Sequence, residues 1–255
     1  MIEQRLQPLG LTRTATHRNH AFIGPDSHVP ATPPGWTDTK GVILISPRMG
    51  ARFIQYIADL QGGSSKPPAP GVQRFLYVME GTALVEAAGK SATLEPTHYA
   101  YIPADTPHSV RANGSAVLMV FEKHYHKLPG VDAPPPVFGR AADIPGNPFL
   151  GDPDATLQLL LPDVPAFDMA VNIFTYKPGA ALPYVEVHIM EHGLTMIAGA
   201  GVYRLDDQWY PTQKGDTIWM GPYCPQWFCA YGKESAAYIY YKDINRDAML
   251  PEELP

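Results

Sequence analysis

The chain has 255 residues, of which 45% are hydrophobic and only 17% are charged, so it can bury one large core or two smaller ones. A net charge of -6, with no cluster of Lys and Arg, excludes a nucleic-acid-binding surface. No segment has the ~20 apolar residues of a membrane span or the apolar core of a signal peptide, which favours a soluble cytoplasmic protein with no membrane partner.

The 28 prolines and 22 glycines favour short strands joined by turns over long helices. Residues 1–40 are rich in turns and predict an irregular N-terminal arm. Residues 41–126 contain short β-branched and aromatic runs that are typical of a barrel. Residues 127–150 hold six prolines and predict an extended linker. The strand pattern then resumes over residues 151–255, so the fold class is all-β with two tandem barrels.

The two halves of the chain match without gaps at an offset of 118 residues. The matched pairs are Pro47 with Pro165, Gly81 with Gly199, His108 with Gln226 and His124 with Lys242. A constant offset over this length indicates that one barrel unit was duplicated. The only cysteines, Cys224 and Cys229, form neither a disulfide framework nor a zinc quartet, and are interpreted as ordinary thiols.

The segment around Glu186, His188 and His192 supplies a carboxylate and two imidazoles. All three positions have the same parity, so on a strand they share one face, and Val185, Val187 and Ile189 are expected to pack on the other. An unpaired buried carboxylate costs several kcal/mol, which favours a metal site over a simple hydrogen-bonded core. Oxygen and nitrogen ligands without thiolate favour Mn(II), or next Fe(II).

The run from His188 to His192 also matches the H-x-x-E-H pattern of a class of zinc peptidases. That chemistry needs a helix, on which residues i and i+4 share a face. Pro183, Gly193 and the β-branched residues between them argue against a helix of useful length. A peptidase is therefore disfavoured.

The segments Gly179–Gly199 and Gly215–Gln226 resemble the two motifs of the cupin superfamily, with Glu186, His192 and Gln226 replacing the usual His, Glu and last His. This altered set, with GAGVYRLDDQWYPTQKGD and YIYYKDINRD, resembles the (S)-ureidoglycine aminohydrolases, a family of manganese bicupins in purine-ureide breakdown. The resemblance covers roughly residues 20–250. It implies two double-stranded β-helix, or jelly-roll, barrels in tandem.

The resemblance also implies the site residues and partners. Mn²⁺ would be held by Glu186, His188, His192 and Gln226, with Glu186 and Lys242 catalytic. Tyr203, Tyr238 and Lys242 would bind a small ureide substrate, from which the enzyme releases ammonia. A homo-oligomer is also expected.

The first barrel departs from this ligand pattern. At the offset of 118, the positions that match the ligands Glu186, His188 and His192 are Pro68, Pro70 and Arg74, and only His108 remains, so the first barrel is expected to bind no metal. Two other functions are retained as alternatives. One is an Fe(II) bicupin dioxygenase or isomerase acting on a small organic acid, and the other is a non-catalytic metal- or sugar-binding cupin.

Overall fold

The computed structural model describes residues 8–246, and these divide into two compact units. Unit 1 consists of residues 28–143, and unit 2 of residues 8–27 together with residues 144–246. The described secondary structure is strand apart from four short 3-10 turns, at Pro8–Gly10, Pro25–Ser27, Pro47–Met49 and Ala141–Asp143. The all-β expectation is thereby confirmed. Within residues 8–246, no helix is long and apolar enough to cross a membrane.

Unit 1 is built from one seven-stranded antiparallel sheet that bends round a core. Its strands are β3 (Trp36–Ile45), β4 (Ile54–Ser65), β5 (Val72–Ala87), β6 (Lys90–Leu94), β7 (His98–Ile102), β8 (His108–His124) and β9 (Val137–Arg140). The long strands β5 and β8 pair along most of their length, and their register shifts around Gly81. Gly81 has a φ of 72°, which favours glycine. The shift lets the strands bend round buried side chains such as Leu76, Val85 and Leu118.

Unit 2 contains an eight-stranded sheet and a three-stranded sheet. The larger sheet holds β1 (Ala15–Thr16), β2 (His20–Ile23), β10 (Asn147–Phe149), β11 (Asp152–Leu159), β12 (Met169–Tyr176), β13 (His192–Ala198), β16 (Thr217–Met220) and β18 (Ala236–Asp243). The smaller holds β14 (Ala200–Leu205), β15 (Gln208–Gln213) and β17 (Gln226–Tyr231). One buried cluster joins Phe174 and Leu194 of the larger sheet to Tyr203 and Phe228 of the smaller, so the sheets pack face to face.

Strand pairing repeats between the units in step with the sequence offset. In unit 1, β8 pairs with β4 and β5, and in unit 2 β18 pairs with β12 and β13. β8 begins at His108 and β17 at Gln226, which are matched residues. The repeated pairing supports duplication of one structural unit.

The segments expected to be an irregular arm and an extended proline-rich linker contain paired strands. β2 of the arm pairs with β16 of unit 2. In the proline-rich segment, β9 pairs with β7 of unit 1, and β10 pairs with β11 of unit 2. The physical reason is that backbone groups at a sheet edge need partners, and here segments distant in sequence supply them. Residues 1–7 of the expected arm and residues 247–255 of the expected second barrel lie outside the described residues.

Candidate metal centre and substrate cavity

The segment that carries Glu186 and His188 is extended but is not part of a regular strand. Glu186 makes an isolated antiparallel bridge to Gln226, with backbone N–H···O distances of 2.8 and 3.0 Å, and regular pairing begins only at His192. The expected packing of the opposite face is wrong, because Val185 and Val187 are 38% and 56% exposed. Since Glu186 pairs with its neighbour at an isolated bridge, this outer side is covered only in part, and Ile189 is the one residue of the three expected to pack there that is half-buried.

The other three predicted ligands lie around the Nε2 atom of His188. The Nε2 atom of Gln226 lies 2.9 Å away, the Nε2 atom of His192 3.1 Å away, and the Oε2 atom of Glu186 4.0 Å away. Ligand atoms bound at about 2.0–2.2 Å from one ion lie about 3 Å from their nearest neighbours. The imidazole and amide groups therefore already have ligand-like spacing.

The protonation of the two imidazoles also fits a metal ion. The Nδ1 atom of His188 is 3.0 Å from the carbonyl oxygen of Met190, and that of His192 is 3.4 Å from the carbonyl oxygen of Tyr241. Because a carbonyl only accepts hydrogen bonds, each Nδ1 carries the proton, and each Nε2 presents its lone pair to the centre. Burial holds the pKa of His192 well below its usual value, so this ring is neutral. Two facing lone pairs repel each other unless a cation lies between them.

One adjustment is needed for ligation. Across residues 8–246, no three His, Cys, Asp or Glu side chains are placed to hold an ion in this conformation. The shortfall lies at Glu186, whose carboxylate is 4.0 Å from the nearest imidazole nitrogen. Rotation of the Glu186 side chain, and a half-turn of the Gln226 amide to present its oxygen, would complete a set of one carboxylate, two imidazoles and one amide. The donor chemistry therefore fits a divalent metal ion.

The same four side chains line a cavity of about 90 Å³ in unit 2. All seven predicted site residues lie on its wall, namely Glu186, His188, His192, Tyr203, Gln226, Tyr238 and Lys242. A space of this size suits a small molecule and not a polymer.

Strand β18 brings Lys242 to this cavity, because Lys242 lies directly opposite His192 in the pairing of β13 with β18. Burial raises the pKa of Glu186, and the Lys242 ammonium partly opposes that rise. The carboxyl of Glu186 therefore holds a proton more readily than an exposed carboxyl does.

An aromatic wall of the cavity was missed by sequence reasoning. It is formed by Phe149, Phe174 and Tyr240, with Tyr176 behind them, and the hydroxyl of Tyr176 lies 3.1 Å from that of Tyr238. Alternation along the sequence places Tyr240 on the same strand face as Tyr238 and Lys242, although Tyr240 was not among the predicted site residues. Phe149 belongs to the segment predicted as a linker, and no pattern in the sequence indicated that it lies at the site. Burial raises the pKa of Tyr240 to about 12, so its phenol stays protonated at neutral pH.

In unit 1, a buried guanidinium occupies the position matched to the metal ligand His192. Arg74 is 2% exposed, and its Nε donates to Oε1 of Glu122 at 2.7 Å. Its Nη1 lies 2.8 Å from Oγ of Ser65 and 3.1 Å from Nε2 of His108. Because Nδ1 of His108 donates to the carbonyl oxygen of Thr106, its Nε2 accepts from Arg74. A fixed cation at this place repels a metal ion, which supports the expectation for the first barrel.

Comparison with known proteins gives relatives along nearly the whole chain. The family model described as a cupin domain matches residues 56–122, which lie in unit 1. A probable (S)-ureidoglycine aminohydrolase of Oryza sativa subsp. japonica is 41% identical over 94% of this chain and 78% of the relative. The (S)-ureidoglycine aminohydrolase of Escherichia coli strain K12 is 36% identical over 91% of this chain and 90% of the relative.

A solved structure shares the architecture as well. The crystal structure of a putative glyoxylate-induced protein from Pseudomonas aeruginosa superposes with a TM-score of 0.85 at 28% identity. The match covers 96% of this chain and 95% of that chain. The likeness therefore includes both units.

Proposed function

Because this chain belongs to the (S)-ureidoglycine aminohydrolase family of cupin proteins, we propose that it hydrolyses (S)-ureidoglycine to (S)-ureidoglycolate and ammonia with the help of Mn²⁺, as a step of purine-derived allantoin degradation. The observation that carries the proposal is the convergence of four metal-type ligands and Lys242 on one small cavity. A binding protein would not need a carboxyl of raised pKa beside a half-buried lysine.

Glu186, His188, His192 and Gln226 would hold the ion, and their mix of oxygen and nitrogen donors without thiolate suits Mn²⁺. When bound, the ion supplies positive charge that attracts the substrate and fixes its orientation at one enantiomer. The carbonyl oxygens of Met190 and Tyr241 orient the two imidazoles so that the ligand nitrogens face inward.

The substrate carries a carboxylate, a ureido group and an amine on one carbon, and the cavity offers donors for the oxygen atoms. The Lys242 ammonium supplies charge for an anionic group. Tyr203 and Tyr238 are 2% and 3% exposed, and burial raises the pKa of both phenols, so both stay as neutral hydroxyl groups on the wall that the substrate contacts. Phe149 and Phe174 keep bulk water from the rest of the wall.

The reaction breaks one C–N bond and forms one C–O bond. The departing nitrogen must gain a proton to leave as ammonia, and the incoming water must lose one. Glu186 is the carboxyl group beside the reacting carbon, and its second oxygen, the one not needed for the ion, can take the proton from water and return it to the nitrogen. The Lys242 ammonium stabilises the negative charge of the Glu186 carboxylate after the proton has left.

The test is release of ammonia from freshly prepared (S)-ureidoglycine, together with metal analysis of the protein. Glu186→Gln and Lys242→Met should each lower kcat by about 10²- to 10⁴-fold, because each removes a group from proton transfer or substrate binding. Lys242→Met should retain its metal. Glu234→Gln, which changes an exposed glutamate outside the cavity, serves as the matched control and should keep full activity.

Two results would contradict the proposal. The first is ammonia release at an equal rate after the metal has been removed with a chelator. The second is consumption of oxygen with a small organic acid and no turnover of ureidoglycine, which would instead favour a dioxygenase.

A further inference from the structure

Tyr240 is a partly buried phenol on the cavity wall, and the reaction above assigns it no role. It lies on β18 between Tyr238 and Lys242, and all three side chains line the cavity. Its ring makes an edge contact with the His192 ring, with centroids 5.6 Å apart. Tyr240 therefore meets whatever is bound beside the ligand cluster.

The hydroxyl of Tyr240 is oriented by Asn172. The two residues are directly opposite in the pairing of β12 with β18, and the Nδ2 atom of Asn172 lies 3.1 Å from the phenol oxygen. Asn172 is 4% exposed. An amide N–H can only donate, so the phenol oxygen accepts this bond and its own hydrogen must point elsewhere.

The Asn172 amide can be placed in two orientations, and the one in the structure satisfies its buried polar atoms better. As it stands, the Oδ1 atom has no partner among the described residues. The reverse orientation would satisfy Oδ1 with the phenol hydrogen but would take Nδ2 away from the phenol oxygen, its hydrogen-bond partner in the structure. A buried carbonyl without a partner is tolerated more often than a buried N–H without one. The phenol hydrogen of Tyr240 is thus kept away from Asn172.

The neighbouring Tyr238 has more hydrogen-bond partners at its hydroxyl than Tyr240 has. The hydroxyl of Tyr238 lies 3.1 Å from that of Tyr176, and it also bonds to Tyr203. The hydroxyl of Tyr240 has only the Asn172 bond among residues 8–246. Of the two phenols on this face of β18, Tyr240 is therefore the one with a hydrogen available for a ligand.

From this geometry we propose that Tyr240 donates a hydrogen bond to the carboxylate of the substrate, and that Asn172 is the positioning residue that turns the phenol hydrogen towards it. The inference rests on the proposed function. Tyr240 and Lys242 are two residues apart on one face of a strand, so their Cα atoms lie roughly 7 Å apart and both side chains line the same cavity. Two donors that line one cavity suit the two oxygens of one carboxylate.

Tyr240→Phe is the first variant, because it removes only the hydroxyl. It should raise KM for (S)-ureidoglycine, or lower kcat/KM, by about 10- to 100-fold, the usual effect of a lost hydrogen bond to a charged group. Metal content should stay the same. Tyr231→Phe, which changes a tyrosine that is 48% exposed, is the matched control and should behave as the parent protein.

Binding to the metal-loaded protein by calorimetry identifies the group that Tyr240 contacts. The ligands are the product (S)-ureidoglycolate and N-(hydroxymethyl)urea, which has hydrogen in place of the carboxylate. Tyr240→Phe should weaken binding of the first by about 10- to 100-fold and leave binding of the second unchanged. Equal weakening of both ligands, or of neither, would overturn the inference.

Asn172→Asp tests the positioning role, since a carboxylate accepts the phenol hydrogen and turns it away from the cavity. KM should rise about 10-fold, and the double variant with Tyr240→Phe should be no worse than Tyr240→Phe alone. Additive losses would contradict the positioning role. If the parent protein releases no ammonia from ureidoglycine, the proposed function fails, whereas an active parent with an unaffected Tyr240→Phe variant refutes only this inference.

Discussion

The two units repeat one strand pattern, yet they place opposite kinds of group at matched positions. In unit 2, His192 offers a lone pair to a cluster with a carboxylate and an amide. In unit 1, the matched residue is Arg74, which offers only donors and a permanent charge. Glu122 neutralises this charge in place of any external anion. One fold can therefore present either a set of metal-type ligands or an internal ion pair, depending on a few side chains.

The units also differ in the origin of an edge strand. β7 of unit 1 pairs with β9, which is the last strand of the unit in sequence. β16 of unit 2, the matched strand, pairs with β2, which comes from the N-terminal region. Arg13 of the same region forms an ion pair with the buried Asp216, and Asn19 donates to Asp206. The same position in the fold is thus filled from opposite directions along the chain.

The largest expected effect comes from copying the unit 1 residue into unit 2. His192→Arg should abolish metal binding and ammonia release, because a guanidinium has no lone pair and repels the ion. Metal analysis of the purified variant measures the loss. His192→Ala separates loss of a ligand from added charge, and His108→Gln in unit 1 should leave metal content unchanged. A full complement of metal in His192→Arg would be incompatible with the proposed centre.

A second change breaks the internal ion pair of unit 1. Arg74→Met should lower the free energy of unfolding of this unit by about 3–5 kcal/mol, because Glu122 is left buried without its cation. Hydrogen exchange measured by segment reports each unit separately. Protection should fall in residues 28–143, while metal content stays constant. The double variant with Glu122→Leu should recover part of the loss, and a larger loss in the double variant would speak against the ion pair.

The matched glycines Gly81 and Gly199 should respond alike to substitution in both units. Gly81 and Gly199 have φ values of 72° and 64°, and an added Cβ would collide with the carbonyl oxygen of Ser115 or Ser235. Alanine at either position should cost about 1–3 kcal/mol of unfolding free energy in its own unit. Gly89 has a φ of 74° with open space, so Gly89→Ala measures the backbone effect alone. Unequal losses of unfolding free energy at Gly81 and Gly199 would show that the two glycines do not have equivalent roles.

The smallest expected effect is on the pH dependence of stability, to which His108 of unit 1 contributes. Burial lowers the pKa of His108 in the folded chain, so the unfolded chain binds a proton more readily. This contribution to stability is fully present above the unfolded pKa of about 6.5 and is lost as pH falls through the folded pKa. His108→Gln should flatten the dependence of the urea midpoint between pH 7.5 and 5. The parent protein and the His108→Gln variant share all other histidines. If their urea midpoints depend on pH in the same way, His108 is not the source of the pH dependence.

The sequence alone was sufficient for the strand-rich class, the offset between halves and the identity of the candidate ligands. Strands follow from local alternation and turn residues, which are readable without a partner. The ligand residue types and the matched pair of His108 with Gln226 needed no coordinates either. The prediction of a regular strand through Glu186 was wrong, because Glu186 forms only an isolated bridge. Side chains alternate between two faces on any extended backbone, so the sequence pattern is the same for a bridge and for a strand. Only the pairing with a neighbouring strand distinguishes the two.

Only the tertiary structure decided which remote groups meet. The Arg74 to Glu122 pair spans 48 residues, and the Asn172 to Tyr240 bond spans 68. Phe149 reaches the cavity from a segment that reads as a linker, and the N-terminal strands complete the sheet of unit 2. Such contacts depend on strand order and register, which hydrogen bonding between distant segments determines and local periodicity does not record. The sequence therefore predicted which residues form the candidate centre, and the fold decided which way their protons point.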